Sequence, residues 1–480
     1  MLSSFQWSVA LHFLLQLLTL MRVLAREDRE PAARMAWVLV VLGLPFFGVI
    51  LYFLVGEVRI SRGKIQRMAE AFASLPPEPA ASPGEAPIPD PYRPAFARAA
   101  AANGFRPLPG NRIEMMRDSD GFIDRLVEDI DAADRHCHLL FYIWLNDRNG
   151  ARVAEALIRA AGRGVACRVM VDALGSRHFA GSETWDRMRA AGVHCARAFA
   201  IRAPRLRMSI SRIDIRNHRK IVVIDNDIAY AGSQNCADPA FAIKPRFAPW
   251  VDIMVRMTGP VVWQHQQLFA ADWATHAYET VAELLAEPMH EAAGGPEGRV
   301  TAIAVGSGPG MNKKAVSDLF QAVIATAQRE LLIVTPYYVP NEALHQQICA
   351  AAVRGVRVRM ILPARNDSRT VGLASRSYYR PLISAGVELY EFRPGLLHAK
   401  VLVADGQGIV VGSANMDRRS FELNYENNLL AHDVALAAAL TIRFEDWLAD
   451  SQRVDPELIR GWGLPRRMAC NLVATVGPLL

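Results

Sequence analysis

The sequence predicts an α/β protein of two similar halves, related by pseudo-twofold symmetry and preceded by two apolar helices. Helical and strand-like patterns alternate after residue 95, one set of polar residues occurs twice at a fixed spacing, and two apolar segments lie near the N-terminus. Strands that alternate with helices in this way are typical of an α/β sandwich with a parallel or mixed sheet. The 480 residues, 51% of them hydrophobic, are enough to form sizeable cores.

Two apolar segments have the length of membrane-spanning helices. Residues 36–55 carry no charge, and residues 7–24 are interrupted by only three strongly polar side chains, His12, Gln16 and Arg22. A helix of about 20 apolar residues crosses a bilayer. We therefore expect a transmembrane hairpin within residues 1–60, with helices at about 7–24 and 36–55. A signal peptide is the alternative for the first segment and a buried soluble helix the alternative for the second.

A proline-rich stretch separates these segments from the rest of the chain. Residues 75–94 contain eight prolines, which cannot continue a helix or pair inside a sheet. They predict an extended tether within residues 61–95 and a domain boundary after it. The two halves then correspond to a first domain over residues 96–295 and a second over residues 296–480.

Each half shows the same order of elements, namely helix, strand, helix and strand. In the first half these patterns cover residues 121–133, 138–145, 151–163 and 165–171. In the second half they cover residues 316–329, 330–339, 341–354 and 356–362. Two equivalent halves in one chain indicate a single site between them.

Six polar and glycine positions recur in the same order in both halves. The first copy consists of His218, Lys220, Asp225, Gly232, Ser233 and Asn235. The second copy consists of His398, Lys400, Asp405, Gly412, Ser413 and Asn415. Every position of the second copy lies 180 residues after its counterpart, although the residues between them differ. A buried structural histidine is the usual explanation of a lone His in an apolar strand, but it does not explain six agreements.

The paired motifs have the chemistry of a phosphodiester site. His and Lys two apart on a strand project from one face, about 6 to 7 Å apart. We expect the lysines to hold a phosphate group together with four polar side chains, Ser233, Asn235, Ser413 and Asn415. Gly232 and Gly412 let the backbone approach the ligand. One neutral imidazole can attack phosphorus while the other, protonated, gives its proton to the leaving alkoxide. Asp225 and Asp405 complete the predicted catalytic set, and because they end strands we expect them to support the motif fold and its local electrostatics.

Charge and cysteine content narrow the partners and the compartment. A net charge of +6 favours an anionic partner, either a membrane lipid or a nucleic acid, and the apolar segments favour the lipid. The six cysteines show no CxxC pair, which indicates free thiols in a reducing compartment. His136 and His138 flank Cys137, but no second ligand cluster accompanies them, so we expect no metal and no other cofactor.

The doubled H-x-K-x4-D-x6-G-S-x-N pattern resembles the phospholipase D superfamily, and within it the chain is similar to bacterial cardiolipin synthases. Further marks of this resemblance are the second apolar segment, FYIW at 141–144, WVDIMVRMTGPVV at 250–262, the stretch 417–426 and the final Pro478-Leu479-Leu480. The resemblance covers nearly the whole chain. It implies two phospholipase D-like halves, one metal-free active site and a phosphohistidine intermediate.

The resemblance also implies roles for single residues. By analogy with the superfamily, His218 is the nucleophile and His398 the general acid. An acidic residue some thirty positions after each motif His holds the imidazole in this superfamily. Here that implies Asp252 for His218 and Glu426 for His398, and Asp252 departs from the glutamate expected in the first half.

Residues and resemblance together predict a phosphatidyltransferase that converts two phosphatidylglycerol molecules to cardiolipin and glycerol. The alternatives are a hydrolase, a transferase for another lipid or alcohol, a nuclease, and a non-catalytic lipid-binding scaffold. The expected location is the bacterial inner membrane, as a multi-pass protein with its catalytic halves on the cytoplasmic face, although the basic residues flanking the two segments are balanced. We expect anionic membrane lipid and no nucleic acid as partners. The sequence predicts no oligomeric state.

Overall fold

The computed structural model describes most of the chain, namely residues 4–27, 31–57, 62–76, 86–200, 214–277, 279–285, 298–312 and 314–475. Three sequence features lie outside these residues: positions 77–85 of the predicted tether, the predicted boundary at 295/296, and the C-terminal Pro-Leu-Leu. The chain divides into two compact units. The first contains residues 1–62, 201–214 and 475–480, and the second contains residues 63–200 and 215–474.

The first unit contains the apolar segments. Its helices are α1 (Ser4–Leu24), α2 (Pro31–Gly43) and α3 (Phe47–Leu51), and α3 continues into a π-helical turn at Tyr52–Gly56. The part of α1 from Gln6 to Leu24 is long and apolar enough to cross a membrane, and no other helix among the described residues meets that length. The first apolar helix is therefore confirmed at about its predicted bounds.

The second apolar segment is not the single helix predicted for residues 36–55. Helix α2 ends at Gly43, and Phe46 has a φ of 64°, which is incompatible with a continuing right-handed helix. Pro45 explains the break, because its ring and missing N–H disrupt the preceding helical turn. The chain then folds back closely, since a Cβ at Gly48 would lie 2.3 Å from the carbonyl oxygen of Val40.

Helices α1 and α2 pack against each other through a small mixed core. Val23, Trp37, Val41 and Tyr52 are buried together in it. Gln16, the polar residue inside α1, donates from Nε2 to the carbonyl oxygen of Val41 at 2.8 Å. A buried polar side chain is tolerated here because it has this partner.

The second unit contains the paired motifs. Its helices are α4 (Arg62–Ala73), α5 (Arg93–Asn103), α6 (Ser119–Asp131), α7 (Arg148–Gly162), α8 (Glu183–Ala190), α9 (Val261–Ala277), α10 (Val281–Leu284), α11 (Ala315–Thr326), α12 (Glu342–Val353), α13 (Arg369–Ser377), α14 (Tyr379–Ser384), α15 (Arg418–Glu422), α16 (Val434–Ala449), α17 (Pro456–Arg460) and α18 (Leu464–Thr475). The stretch predicted as a tether thus begins with a helix, α4. Its composition allows this, because residues 62–73 contain no proline.

The strands of this unit are β1 (Leu108–Met115), β2 (His136–Phe141), β3 (Ala166–Asp172), β4 (His194–Ala198), β5 (Arg216–Asn217), β6 (Ile221–Ile224), β7 (Ile228–Gly232), β8 (Trp250–Val251), β9 (Met254–Thr258), β10 (Val300–Ser307), β11 (Glu330–Val334), β12 (Tyr338–Val339), β13 (Arg357–Pro363), β14 (Glu388–Phe392), β15 (Leu396–Leu397), β16 (Val401–Ala404), β17 (Gly408–Gly412), β18 (Met416–Asp417), β19 (Asn424–His432) and β20 (Ser451–Arg453). The alternation of helices and strands predicted for both halves is confirmed. Two predicted strands are shorter than expected. The first ends at Phe141, and the strand predicted over 330–339 is interrupted at Pro336.

The two halves share one continuous mixed sheet. Its order is β20-β14-β13-β11-β16-β17-β19-β10-β1-β9-β7-β6-β2-β3-β4, and β5 pairs with β19 off this path. Strands β1 and β10 join the halves through antiparallel pairing. On either side of this junction the order is equivalent, with the motif hairpins β6-β7 and β16-β17 nearer the centre and parallel strands farther out. The second half adds one antiparallel edge strand, β20, which pairs with β14. This arrangement realises the predicted pseudo-twofold symmetry.

Candidate active site

Two short parallel pairings bring the halves together at the motif histidines. Strand β5 of the first half pairs with the start of β19 in the second, with Asn217 opposite Tyr425. Strand β8 of the first half pairs with β15 of the second, with Val251 opposite Leu397. In each case the next residue on one strand is a motif histidine and the next on the other is an acidic residue. Parallel register therefore places each histidine beside the acid of the other half.

The carboxylates are exchanged between the halves. Nδ1 of His218 lies 2.9 Å from Oε2 of Glu426, and Nδ1 of His398 lies 2.7 Å from Oδ1 of Asp252. The pairing inferred from the superfamily, Asp252 with His218 and Glu426 with His398, is therefore wrong for this chain. The backbone supports the crossing, because the N–H of His218 donates to the carbonyl of Tyr425 and that of His398 to the carbonyl of Val251.

The two motif serines hold these carboxylates. Oγ of Ser233 donates to Oδ1 of Asp252 at 2.6 Å, and Oγ of Ser413 donates to Oε2 of Glu426. Each hydroxyl also accepts a backbone N–H, from Ile253 at 3.0 Å and from Asn427 at 2.9 Å. The serines were expected to bind phosphate, but their hydroxyls are already engaged. Each serine thus positions the carboxylate that binds the histidine of the other half.

The motif glycines allow two strands to approach each other. A Cβ at Gly232 would lie 2.2 Å from the carbonyl oxygen of Ile253, and one at Gly412 would lie 2.5 Å from that of Asn427. Contacts this short are not possible for a side chain. The expectation that these glycines make room for the ligand is therefore replaced by a structural requirement, close approach to β9 and β19.

The histidines and lysines precede the motif strands instead of lying within them. Strand β6 begins one residue after Lys220, and β16 begins one residue after Lys400. Nζ of Lys220 donates to the His218 carbonyl at 2.7 Å, and Nζ of Lys400 donates to the His398 carbonyl at 2.6 Å. Nζ of Lys400 also lies 3.0 Å from Nε2 of His398, so these groups are much closer than the separation expected along a strand.

The motif aspartates act on the backbone. The carboxylate of Asp225 accepts three N–H bonds from residues 134 to 136, at 2.7 to 2.9 Å, and that of Asp405 accepts three from residues 328 to 330, at 2.8 to 2.9 Å. Both residues have positive φ, 55° and 52°. They tie the turn of each motif hairpin to the start of the neighbouring strand, β2 or β11. This agrees with their expected supporting function and separates them from the reacting groups.

Both motif asparagines, Asn235 and Asn415, are buried. Oδ1 of Asn235 accepts the N–H of Ile143 at 3.1 Å, which anchors the segment after β2. Oδ1 of Asn415 is buried and has no hydrogen-bond partner among the described residues. An unpaired buried amide oxygen is costly, and only a hydrogen-bond donor would satisfy it.

Burial sets the protonation of the histidines and lysines. It lowers the pKa of His218 to about 4 and also lowers the pKa of His398, so both imidazoles are neutral near pH 7. It lowers the pKa of Lys220 to about 7 and that of Lys400 to about 8.

The carboxylates of the site remain ionised. Burial opposes ionisation of Asp252, but the adjacent His398, the Lys400 ammonium and the Ser233 hydroxyl outweigh it and lower its pKa to about 2. Glu426 is likewise held below its usual pKa, against burial, by His218, Lys220 and Ser413. Each imidazole therefore donates Nδ1–H to a carboxylate and keeps a lone pair on Nε2.

Sequence reasoning missed the aromatic residues beside the histidines. The ring of Tyr142 lies 4.9 Å from that of His218, and the rings of Trp250 and Tyr337 lie 4.8 Å and 6.4 Å from that of His398. Both tyrosines follow the end of a buried strand, β2 or β11. This position was visible in the sequence and indicates a side chain directed to the sheet edge, where the loops form the site.

Sequence reasoning also missed a buried arginine that directly follows the first motif histidine. The guanidinium of Arg219 is fully buried, pairs with Asp272 at 2.8 Å and donates to the carbonyl of Glu426 at 3.1 Å. Arg219 therefore fixes the backbone that carries the partner of His218. Across the ranges that the structure describes, no group of three His, Cys, Asp or Glu side chains is placed to hold a metal ion.

Comparison with known proteins places these motifs in a family. A profile described as "Cardiolipin synthase, PLD-like domain" matches residues 126–273 and 320–448, and one described as "Phospholipase_D-nuclease N-terminal" matches residues 14–57. The chain is 33% identical over 478 residues to Cardiolipin synthase A of Shigella dysenteriae serotype 1, which covers 96% of this chain and 95% of that protein. The same values hold for Cardiolipin synthase A of Escherichia coli O1:K1.

A solved structure shares the fold. The phosphatidylserine synthase of Haemophilus influenzae Rd KW20 aligns with a TM-score of 0.58 over 81% of this chain and 100% of its own, at 15% identity. At that identity the similarity supports the α/β architecture of two halves and nothing more specific.

Proposed function

Because the chain belongs to the cardiolipin synthase family of the phospholipase D superfamily and is a phosphatidyltransferase, we propose that it moves a phosphatidyl group from one phosphatidylglycerol molecule to another. The products are cardiolipin and glycerol. One phosphodiester replaces another, so the exchange requires no nucleotide. The observation that carries the proposal is the crossed pair of carboxylate-held histidines, which makes one site from two motifs.

In the first step, Nε2 of His218 attacks the phosphorus of the donor lipid. Glu426 holds Nδ1–H of this ring, and no hydrogen bond to its Nε2 is found among the described residues, which supports His218 as the nucleophile. The N–P bond forms as the bond from phosphorus to the glycerol oxygen breaks. The Lys400 ammonium, whose Nζ lies 3.0 Å from Nε2 of His398, supplies a proton that His398 passes to the departing glycerol.

In the second step, the terminal hydroxyl of another phosphatidylglycerol attacks the phosphohistidine. His398 takes the proton of that hydroxyl as the new O–P bond forms and returns it to Lys400. The N–P bond breaks and His218 regains its lone pair. Lys220, Lys400, Asn235 and Asn415 are proposed to hold the phosphoryl oxygens, on which negative charge grows in both transition states.

The proposed location is the bacterial inner membrane, with two spans and the catalytic unit on the cytoplasmic side. Helix α1 has the length of a span, and the shorter α2 packs on it as the returning arm of a hairpin. All six cysteines are free thiols, as a reducing compartment favours. Anionic lipids of the membrane would then be both surroundings and substrate of a chain with net charge +6.

A product assay tests the function. Purified full-length protein in mixed micelles, with phosphatidylglycerol as the only phospholipid and a chelator present, is expected to form cardiolipin and glycerol in equal amounts. Thin-layer chromatography and mass spectrometry of the lipids provide the measurement. Phosphatidic acid as the sole product would identify a hydrolase instead, and absence of turnover would favour a lipid-binding scaffold.

The rate of transfer is expected to depend on pH through the buried lysines. Lowered lysine pKa values mean that the cationic forms exist below about 7 for Lys220 and about 8 for Lys400 and are lost above. We therefore expect kcat/KM to fall as pH rises through this range, and to fall on the acid side near pH 4, where His218 becomes protonated. Initial rates between pH 4 and 10 measure both limbs, and a rate that stays constant from about pH 6 to 9 contradicts the assignment.

A further inference from the structure

Helix α4, which follows the apolar segments in sequence, packs on α9 and α10 within the second unit. Ala71 of this helix is buried with Ala271 and Val281. Sδ of Met68 lies 3.2 Å from the hydroxyl of Tyr425. Helix α4 is thus connected to the residue that precedes Glu426.

Lys64, in the first turn of this helix, directs its ammonium to an aromatic ring. Nζ lies 4.2 Å from the ring centroid of Phe199. The side chain is half-buried, and no carboxylate pairs with it among the described residues. Phe199 has a φ of 55°, a costly conformation for this residue type, so the surroundings hold the ring in place.

The charges around Lys64 leave it without a counterion. Burial and the positive charges of Arg67 and Arg216 lower its pKa to about 8, against the opposing effect of Asp172. The carboxylate of Asp172 is shared, because it pairs with Arg216 at 3.3 Å and accepts several backbone N–H bonds. An anionic group beside Lys64 would be stabilised by these neighbouring positive charges.

Two aromatic residues connect this cation to the paired motifs. The ring of Phe199 contacts the ring of Tyr425, at 5.2 Å between centroids. The carbonyl of Tyr425 accepts the N–H of His218 at 2.9 Å, and Glu426 follows directly. Contacts through Phe199 and Tyr425 therefore connect Lys64 to the backbone of the proposed nucleophile.

The proposed reaction requires a second anion site near the first. The acceptor phosphatidylglycerol carries a phosphodiester that does not react, joined to the attacking hydroxyl by a single glycerol unit. Lys220 and Lys400 are engaged with the reacting phosphate. We propose that Lys64 binds the non-reacting phosphodiester of the acceptor lipid and so favours a phosphatidylglycerol molecule over water or free glycerol as acceptor. This inference rests on the proposed function.

The test compares two reactions of the full-length protein in phosphatidylglycerol micelles. Cardiolipin formation uses an anionic acceptor, whereas exchange of radiolabelled glycerol into phosphatidylglycerol uses a neutral one. We expect Lys64→Met to slow cardiolipin formation by about 10-fold or more, the effect of losing a charged hydrogen bond, and to change glycerol exchange by less than about twofold. Lys64→Arg keeps the charge and is expected to recover most of the loss.

Lys314→Met, the same change at an exposed lysine, is the matched control and is expected to leave both reactions unchanged. Equal loss of both reactions in Lys64→Met, or loss of neither, overturns the inference. An arginine variant as slow as the methionine variant also overturns it, because charge would then not be the cause. If the unaltered protein performs neither reaction, it is the proposed function that fails.

Discussion

Replacement of either motif histidine by alanine is expected to abolish phosphatidyl transfer, with a loss of at least about 10⁴-fold in kcat. In the proposed mechanism, His218→Ala removes the atom that bonds to phosphorus. In the same mechanism, His398→Ala removes the group that moves a proton in both steps. Because the two imidazoles serve one site, the double variant is expected to be no slower than either single variant. Cardiolipin formation in micelles measures the loss, and His194→Ala, at an exposed histidine of β4, is the control.

An activated donor lipid distinguishes the proposed role of His218 from that of His398. A phosphatidyl ester of p-nitrophenol has a leaving group that departs as a stable anion and needs no proton. His398→Ala is then expected to release about one nitrophenolate per active site in a burst, because His218 still attacks. His218→Ala is expected to show no burst. The reverse result would assign the nucleophile to His398, and near-normal cardiolipin synthesis in either variant would contradict a single shared site.

Neutralising the crossed carboxylates is expected to cost about 10²- to 10⁴-fold in kcat. In Glu426→Gln the amide presents an N–H to Nδ1 of His218. The ring then adopts the tautomer with hydrogen on Nε2 and loses its nucleophilic lone pair. In Asp252→Asn the same change of tautomer is expected at His398. Steady-state rates of cardiolipin formation measure both losses.

The activated donor also tests the crossing itself. If Glu426 serves His218, then Glu426→Gln is expected to suppress the nitrophenolate burst, while Asp252→Asn retains it and slows only the later transfer. Pairing within each half predicts the opposite pattern. A matched control is Asp186→Asn, at an aspartate of α8 that is 75% exposed, which is expected to change neither phase.

Much of the site was readable from the sequence. The twelve motif residues, their spacing and the alternating elements of both halves depend on local residue types, and the structure confirms these elements near their predicted bounds. The two acids that the resemblance implies, Asp252 and Glu426, are the carboxylates that hold the motif histidines. The break after Gly43 was also present in the sequence, since Pro45 lies inside the apolar run.

The assignment of each acid to its histidine was decided only by tertiary structure. Asp252 lies 146 residues from His398, and Glu426 lies 208 residues from His218, whereas the acid of the same half is about thirty residues away. Nothing in local pattern distinguishes these partners. The choice depends on two short parallel pairings between the halves, β5 with β19 and β8 with β15.

The contacts of the motif serines and glycines were also decided only by tertiary structure. Their residue types suggested ligand contacts, but the hydroxyls of Ser233 and Ser413 bind carboxylates on an adjacent strand, and Gly232 and Gly412 are required by close strand packing. By itself the sequence determined the groups to which the proposed chemistry is assigned, because residue type and spacing are local. Only the folded sheet decided which carboxylate binds which histidine, because hydrogen bonds depend on distances between segments that are far apart in the chain.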